Sequence, residues 1–201
     1  MDLTDNVKIL ALRLLNKFDE HISAQLILLR YKRNAYHSPG FDGEKGPIGF
    51  TGLHGAAFLG LVEIFAALLE MKEWDVNSRD SASCTPLLWA ARWGHEEVVQ
   101  MLLERRDVDL GFKDQYDETP LSRAAQQGHE GVVKVFLERE GVNPDQGISM
   151  YVQQALHRAA AYGHERIVKM IWNEKTSIPT RYPPDIRAHH SLSQLFRGMK
   201  R

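Results

Sequence analysis

The sequence predicts an all-α solenoid of about four helix-turn-helix repeats behind an N-terminal helical cap, and three observations carry that prediction. Shifted by 34 residues, the chain lies over itself. "TPLLWAARWGHEEVVQMLL", starting at Thr85, and "TPLSRAAQQGHEGVVKVFL", starting at Thr119, agree at 11 of 19 positions, against about one or two expected from ordinary composition. The same shift backwards lands on "TGLHGAAFLGLVEIFAALL" at Thr51, and a forward shift of 35 reaches "QALHRAAAYGHERIVKMIW" at Gln154. Within each copy, apolar residues recur three and four apart and then break at a glycine, which is the period of short helices rather than strands.

The first element is an amphipathic helix or helix pair over about residues 4–33, where Val7, Leu10, Leu14, Phe18, Ile22, Leu26 and Leu29 share one face. Residues 1–40 are read as this cap and a linker. Next comes "GFDGEKGPIGFTGLHG", with glycine at every third position from Gly40 to Gly55. A collagen-like triple helix needs glycine near one third of the chain and abundant proline. With 15 glycines and 8 prolines in 201 residues, the run is instead a loop entering the first repeat.

The repeats occupy residues 41–175 and start near 51, 85, 119 and 154. Thr85 and Thr119 are placed to cap a helix by accepting a backbone N–H, and Pro86 and Pro120 follow where a missing N–H costs nothing. The pairs Ala56-Ala57, Ala90-Ala91, Ala124-Ala125 and Ala159-Ala160 allow close helix approach. Gly60, Gly94, Gly128 and Gly163 are expected to end each first helix in the left-handed conformation. Val98, Val99, Leu102 and Leu103 form the apolar face of a second helix, repeated as Val132, Val133, Phe136 and Leu137. Asp80 and Asp114, five residues before their threonines, suit tight turns that project between helix pairs. No unit can bury its own face, so the copies must stack. Residues 176–201 are read as a flexible basic tail: from Lys175 onwards six basic residues stand against Asp185, a net +5 that leaves −6 for the rest of a chain of net charge −1.

This pattern resembles the ankyrin repeat, a unit of about 33 residues with the signature Thr-Pro-Leu-His-x-Ala. The first and last copies depart from it, with Gly52 in the place of proline and Gln154-Ala155 in the place of Thr-Pro. "LLNKFDEHISAQLILL", "GFTGLHGAAFLGLVEIFAALLEMKEWDVN" and "GVNPDQ" further resemble the ankyrin arrays of fungal proteins, some of which carry a NACHT nucleotide-binding domain. In those proteins the array is thought to be the recognising part of sensing and non-self recognition. The present sequence contains no Gly-x-x-x-x-Gly-Lys-Ser/Thr phosphate loop, so nucleotide hydrolysis does not carry over.

Little in the chain points to chemistry, and no enzyme activity, cofactor or metal is expected. His95, His129 and His164 recur at one repeat position, but stacked helices lie about 8–10 Å apart, whereas zinc needs nitrogen ligands within about 2.1 Å of one ion. These histidines are read as hydrogen-bonding near a helix start or bridging to the next repeat, and His54 and His157, at the signature position, likewise. Cys84 precedes a helix start that could activate a thiol, yet no paired base accompanies it, and it is read as an ordinary loop residue. Trp89 is read as packing. A single cysteine suits a reducing compartment, and no signal peptide or membrane-length apolar stretch is evident. A cytoplasmic or nuclear monomer is expected.

The resemblance implies a non-catalytic module that binds another protein through a concave surface made by turns and first helices. On that surface the sequence places Phe58, Arg79, Arg92, Trp93, Lys113, Tyr116, Gln126, Gln127, Tyr151 and Tyr162, because aromatics and arginine dominate protein hot spots. Trp93, beside the helix-ending Gly94, is expected to be too exposed for core packing. The alternative is a nucleic-acid or acidic-surface binder that uses the basic tail, which steep salt dependence would reveal.

Overall fold

Threonine before proline starts the helices of the middle repeats. Residues preceding proline are pushed out of the helical region, and Thr85 and Thr119 are extended, with ψ of 166° and 163°. Their hydroxyls accept the backbone N–H groups of Leu88 at 3.3 Å and Ser122 at 3.2 Å. In this computed structural model, which describes residues 49–71, 74–139 and 150–175, the helices run in four pairs. They are α1 (Gly52–Leu59) with α2 (Val62–Glu70), α3 (Pro86–Trp93) with α4 (Glu96–Leu103), α5 (Pro120–Gln127) with α6 (Glu130–Glu138), and α7 (Met150–Ala161) with α8 (Glu165–Lys175). The described residues include no strand. The expected N-terminal cap and basic tail lie outside the described residues.

The last pair corrects an expected boundary. The repeat register starts its first helix near Gln154, but α7 begins at Met150. Gln154-Ala155 replaces Thr-Pro, so nothing forces the preceding residue out of the helical region, and the helix extends backwards. At the other end Gly52 substitutes for proline without loss of the boundary, because Thr51 is still extended, with ψ of 174°.

First helices stack in series, α1 on α3 on α5 on α7, and second helices do the same, α2 on α4 on α6 on α8. The alanine pairs sit at the centre of the first stack and are fully buried, apart from Ala160 at 5% exposure. Val98, Val99, Leu102, Val132, Val133, Phe136, Ile167, Val168 and Ile171 fill the space between the two stacks. Leu137, expected in the same face, is only partly buried. Such a stack has no closed core, and each pair depends on its neighbours for burial.

The turns repeat as faithfully as the helices. Asp80 Oδ1 accepts the N–H groups of Ala82 and Cys84, both at 2.9 Å, and Asp114 Oδ1 accepts those of Tyr116 at 2.9 Å and Glu118 at 3.1 Å. Two residues before each cap the backbone turns left-handed, at Ser83 (φ 60°) and Asp117 (φ 63°). Gly49 occupies the same position ahead of Thr51, with φ 77°. The glycine of the triplet run that matters here is therefore a turn residue.

Glycines 60, 94, 128 and 163 all end their helices at φ between 70° and 82°. At Gly128 a second constraint joins the first. A Cβ there would lie 2.7 Å from Cε1 of His164, whose Nε2–H donates to the Gln126 carbonyl at 2.9 Å. Gly128→Val is expected to lower stability by about 1–3 kcal/mol through backbone strain alone, and displacement of the histidine bond adds about 1 kcal/mol. Thermal melting by circular dichroism checks this. In a His164→Ala background the same substitution should cost less, because the ring it meets is gone, and an equal cost would assign the whole effect to the backbone.

Candidate interaction surface

The three recurring histidines are structural bridges. Nε2 of His95, His129 and His164 donates to the carbonyls of Phe58, Arg92 and Gln126 at 2.9, 3.0 and 2.9 Å, each in the preceding repeat. His54 bridges the other way: its Nε2–H points at the carbonyls of Ser78 and Cys84, both 3.1 Å away, in the following turn. Its Nδ1 accepts the Thr51 backbone N–H at 3.1 Å. Burial holds the His54 pKa at about 4, far below its usual 6.5, despite the two carbonyls that favour the charged form. Cys84 is 2% exposed, and burial, with Asp80 and Asp114 nearby, pushes its thiol far above the usual range. This is the opposite of activation.

Two buried carboxylates anchor the turns to their own helices. Asp80 Oδ2 accepts Nε1–H of Trp89 at 2.8 Å. One repeat later Asp114 Oδ2 accepts Nε–H of Arg123 at 2.7 Å and forms an ion pair with its Nη2. Burial pushes the Asp80 carboxyl above its ordinary value, a shift opposed by the bonds it accepts and by the charge of Arg92. Glu118 completes the network by accepting the Ser122 hydroxyl at 2.7 Å and pairing with Arg158 of the last repeat. Sequence reasoning missed Arg123 and Arg158 as anchors, although their recurrence 35 residues apart was a usable signal.

The structure divides the ten residues expected at the surface. Phe58 is a correction: it is 1% exposed and packs edge-on against Trp89 and Trp93, both at 5.3 Å between ring centroids. It faces the next helix of the stack, not solvent. Trp93 is corrected in the same sense, since it is half-buried and packed against the core rather than projecting from it. Arg92 is half-buried, with its guanidinium 5.8 Å from the Trp89 ring centroid. Gln127 and Tyr151 are also half-buried.

The other five form two connected groups. On the turns, exposed Arg79 lies 5.4 Å from the Phe112 ring centroid and donates to the Lys113 carbonyl at 3.3 Å, while Lys113 Nζ bonds Asp117 at 2.8 Å. Beside them a row crosses the last two repeats. Tyr116, 48% exposed, has the Arg123 guanidinium 5.3 Å from its ring centroid; Arg123 Nη1 donates to Gln126 Oε1 at 2.9 Å; and Gln126 Nε2 donates to the Tyr162 hydroxyl at 2.8 Å. Tyr162 is 54% exposed. One exposed phenol ring is thus held by a buried, charge-paired arginine and the other by the glutamine that this arginine bonds, which limits the entropy they lose on binding.

Serial stacking of near-identical helix pairs, joined by turns that pair with their neighbours, defines a repeat solenoid whose stability and surface both extend along one axis. The family model described as "Ankyrin repeats (3 copies)" matches residues 24–114 and 106–181, and the chain belongs to the ankyrin-repeat family. The match begins inside the segment read as the cap. No curated protein matches the chain. Ankyrin repeats are generally protein–protein interaction modules, and no described helix is long and apolar enough to cross a membrane.

Proposed function

We propose that the chain is a non-catalytic binding module that takes a partner protein on the surface formed by its turns and by the last turns of its first helices. The observation that carries this reading is the row Tyr116, Arg123, Gln126 and Tyr162, in which two exposed aromatics are positioned by partners already fixed in the fold. Tyrosine on a rigid support contributes large contact area with few torsions to freeze. The buried, deactivated thiol of Cys84 and the histidines committed to carbonyl bonds support a binding rather than a catalytic role. The wording shared with fungal arrays supports placing that binding within an intracellular recognition system.

The test compares wild type with a Tyr116→Ala, Tyr162→Ala variant in affinity purification from the source cells, followed by titration of any captured protein. The variant should keep its melting temperature within a few degrees, because both rings are half exposed, and lose at least about tenfold in affinity, equivalent to about 1.4 kcal/mol. Equal affinities would remove this surface from the binding face. A loss of affinity that disappears on raising the salt concentration would instead favour contact with an acidic surface.

A further inference from the structure

Hydrogen-bond polarity along the row that crosses the last two repeats is set by a residue that can only donate. A guanidinium has N–H donors and no acceptor, so the Gln126 atom bonded to Arg123 Nη1 at 2.9 Å is the amide oxygen. The amide nitrogen then faces the Tyr162 hydroxyl and donates to it at 2.8 Å. Because the phenol oxygen accepts from inside the fold, its own hydrogen is left for an acceptor outside it. The turn side of the row has the same polarity. Arg79 is exposed there, and one of its nitrogens donates to the Lys113 carbonyl at 3.3 Å. Beside these donors stand the half-exposed rings of Tyr116 and Tyr162.

A partner for this face must bring acceptors together with flat apolar contact, and backbone conformation decides which segments can. A helix commits its carbonyls to its own turns. A strand alternates carbonyls with N–H groups that need acceptors, and the exposed carboxylate next to Tyr116, that of Asp117, already has both oxygens on Lys113 Nζ, at 2.8 and 2.9 Å. A polyproline II segment leaves its carbonyls unpaired, and its prolines lack the N–H and present flat rings. The reach is short. Tyr116 precedes α5 and Tyr162 follows α7, which packs on it. A helix length of about 12 Å and a stacking step of about 10 Å place the two positions about 16 Å apart at most, and about six residues of polyproline II cover that span.

We infer that the partner taken on this face is a proline-rich segment in the polyproline II conformation, with Tyr162 donating its hydroxyl hydrogen to a partner carbonyl and Gln126 as the positioning residue that turns this hydrogen outward. The inference rests on the binding role proposed above. Titration of the full chain with a fluorescein-labelled decaproline peptide, read by anisotropy, tests it. Decaproline should bind at least about tenfold more tightly than a glycine–serine peptide of the same length. Tyr162→Phe keeps the ring, removes the donor and should weaken binding about three- to tenfold. Gln126→Glu is nearly isosteric and still accepts from Arg123, but its carboxylate also accepts the Tyr162 hydrogen and turns it inward, so it should weaken binding to a similar extent. The probe is uncharged, so the added charge acts little on it directly. In a Tyr162→Phe background Gln126→Glu should have no further effect, whereas independent structural damage would add a second loss. Decaproline binding no tighter than that of the glycine–serine peptide would overturn the proposal, as would unchanged binding by Tyr162→Phe or tighter binding of a glutamate-rich peptide. The face itself is judged separately: if Tyr116→Ala, Tyr162→Ala loses a captured protein while decaproline fails to bind the wild type, the face stands and the proline-rich partner is overturned.

Discussion

Arg123→Ala is expected to destabilise the protein by about 3–5 kcal/mol, the scale for removing one partner of a buried ion pair. Asp114 is the reason. Its carboxylate is 2% exposed at the side chain, its Oδ1 is committed to two turn amides, and its Oδ2 is held by the Arg123 Nε–H and Nη2–H groups. Without the guanidinium a charge remains in the stack with half of its bonding unmet. The loss would spread, because Arg123 also holds Gln126 and, through it, Tyr162 of the last repeat. Urea unfolding of wild type, Arg123→Ala and the Asp114→Ala, Arg123→Ala double variant measures both the loss and its origin. The double variant should be less destabilised than the sum of its parts, since no charge is then stranded. A single-variant loss below about 1 kcal/mol would mean that water replaces the guanidinium and that the pair is not a buried anchor.

Stability should also fall by about 3 kcal/mol as the pH is lowered from about 6.5 to about 4, through His54. The imidazole is neutral in the fold because its surroundings require it. Nδ1 already faces the Thr51 N–H, so a proton there would meet another donor, and burial removes the water that would stabilise the cation. An unfolded chain takes up the proton below its usual 6.5, whereas the folded chain does so only near 4. The contribution is therefore complete above about 6.5, declines through the interval and is lost below about 4. Asp80 works against this trend, since its raised pKa favours protonation in the fold as the pH falls. Comparison within one background isolates the histidine. His54→Gln should be less stable at neutral pH but show a flatter profile between 6.5 and 4. In the wild type, the NMR chemical shift of the His54 ring should stay constant down to about pH 5. A ring that titrates near 6.5 would show that the site is hydrated and would remove the expected slope.

The sequence by itself determined the repeat register, the caps at Thr85 and Thr119, the glycines that end the first helices, the turn aspartates and the alanine-lined stack. Each depends on contacts within a few residues or on a period repeated along the chain, so each leaves a local pattern. The start of α7 was not legible in the register, because a missing proline removes a stop signal without putting another in its place. Only the tertiary structure decided which aromatics are available. Phe58 and Trp93 sit on the last turn of their helices, where a single repeat would leave them open, but ring-to-ring packing across the repeat boundary takes Phe58 inside against Trp89 and Trp93 and half-buries Trp93 against Phe58. Tyr162 takes the register position of Trp93 in the last pair and Tyr116 lies on the turn before α5; both stay outside, with Arg123 against the Tyr116 ring and Gln126 bonded to the Tyr162 hydroxyl. Exposure in a solenoid depends on the neighbouring repeat some 34 residues away. That is why the helices could be read from local spacing and the binding surface could not.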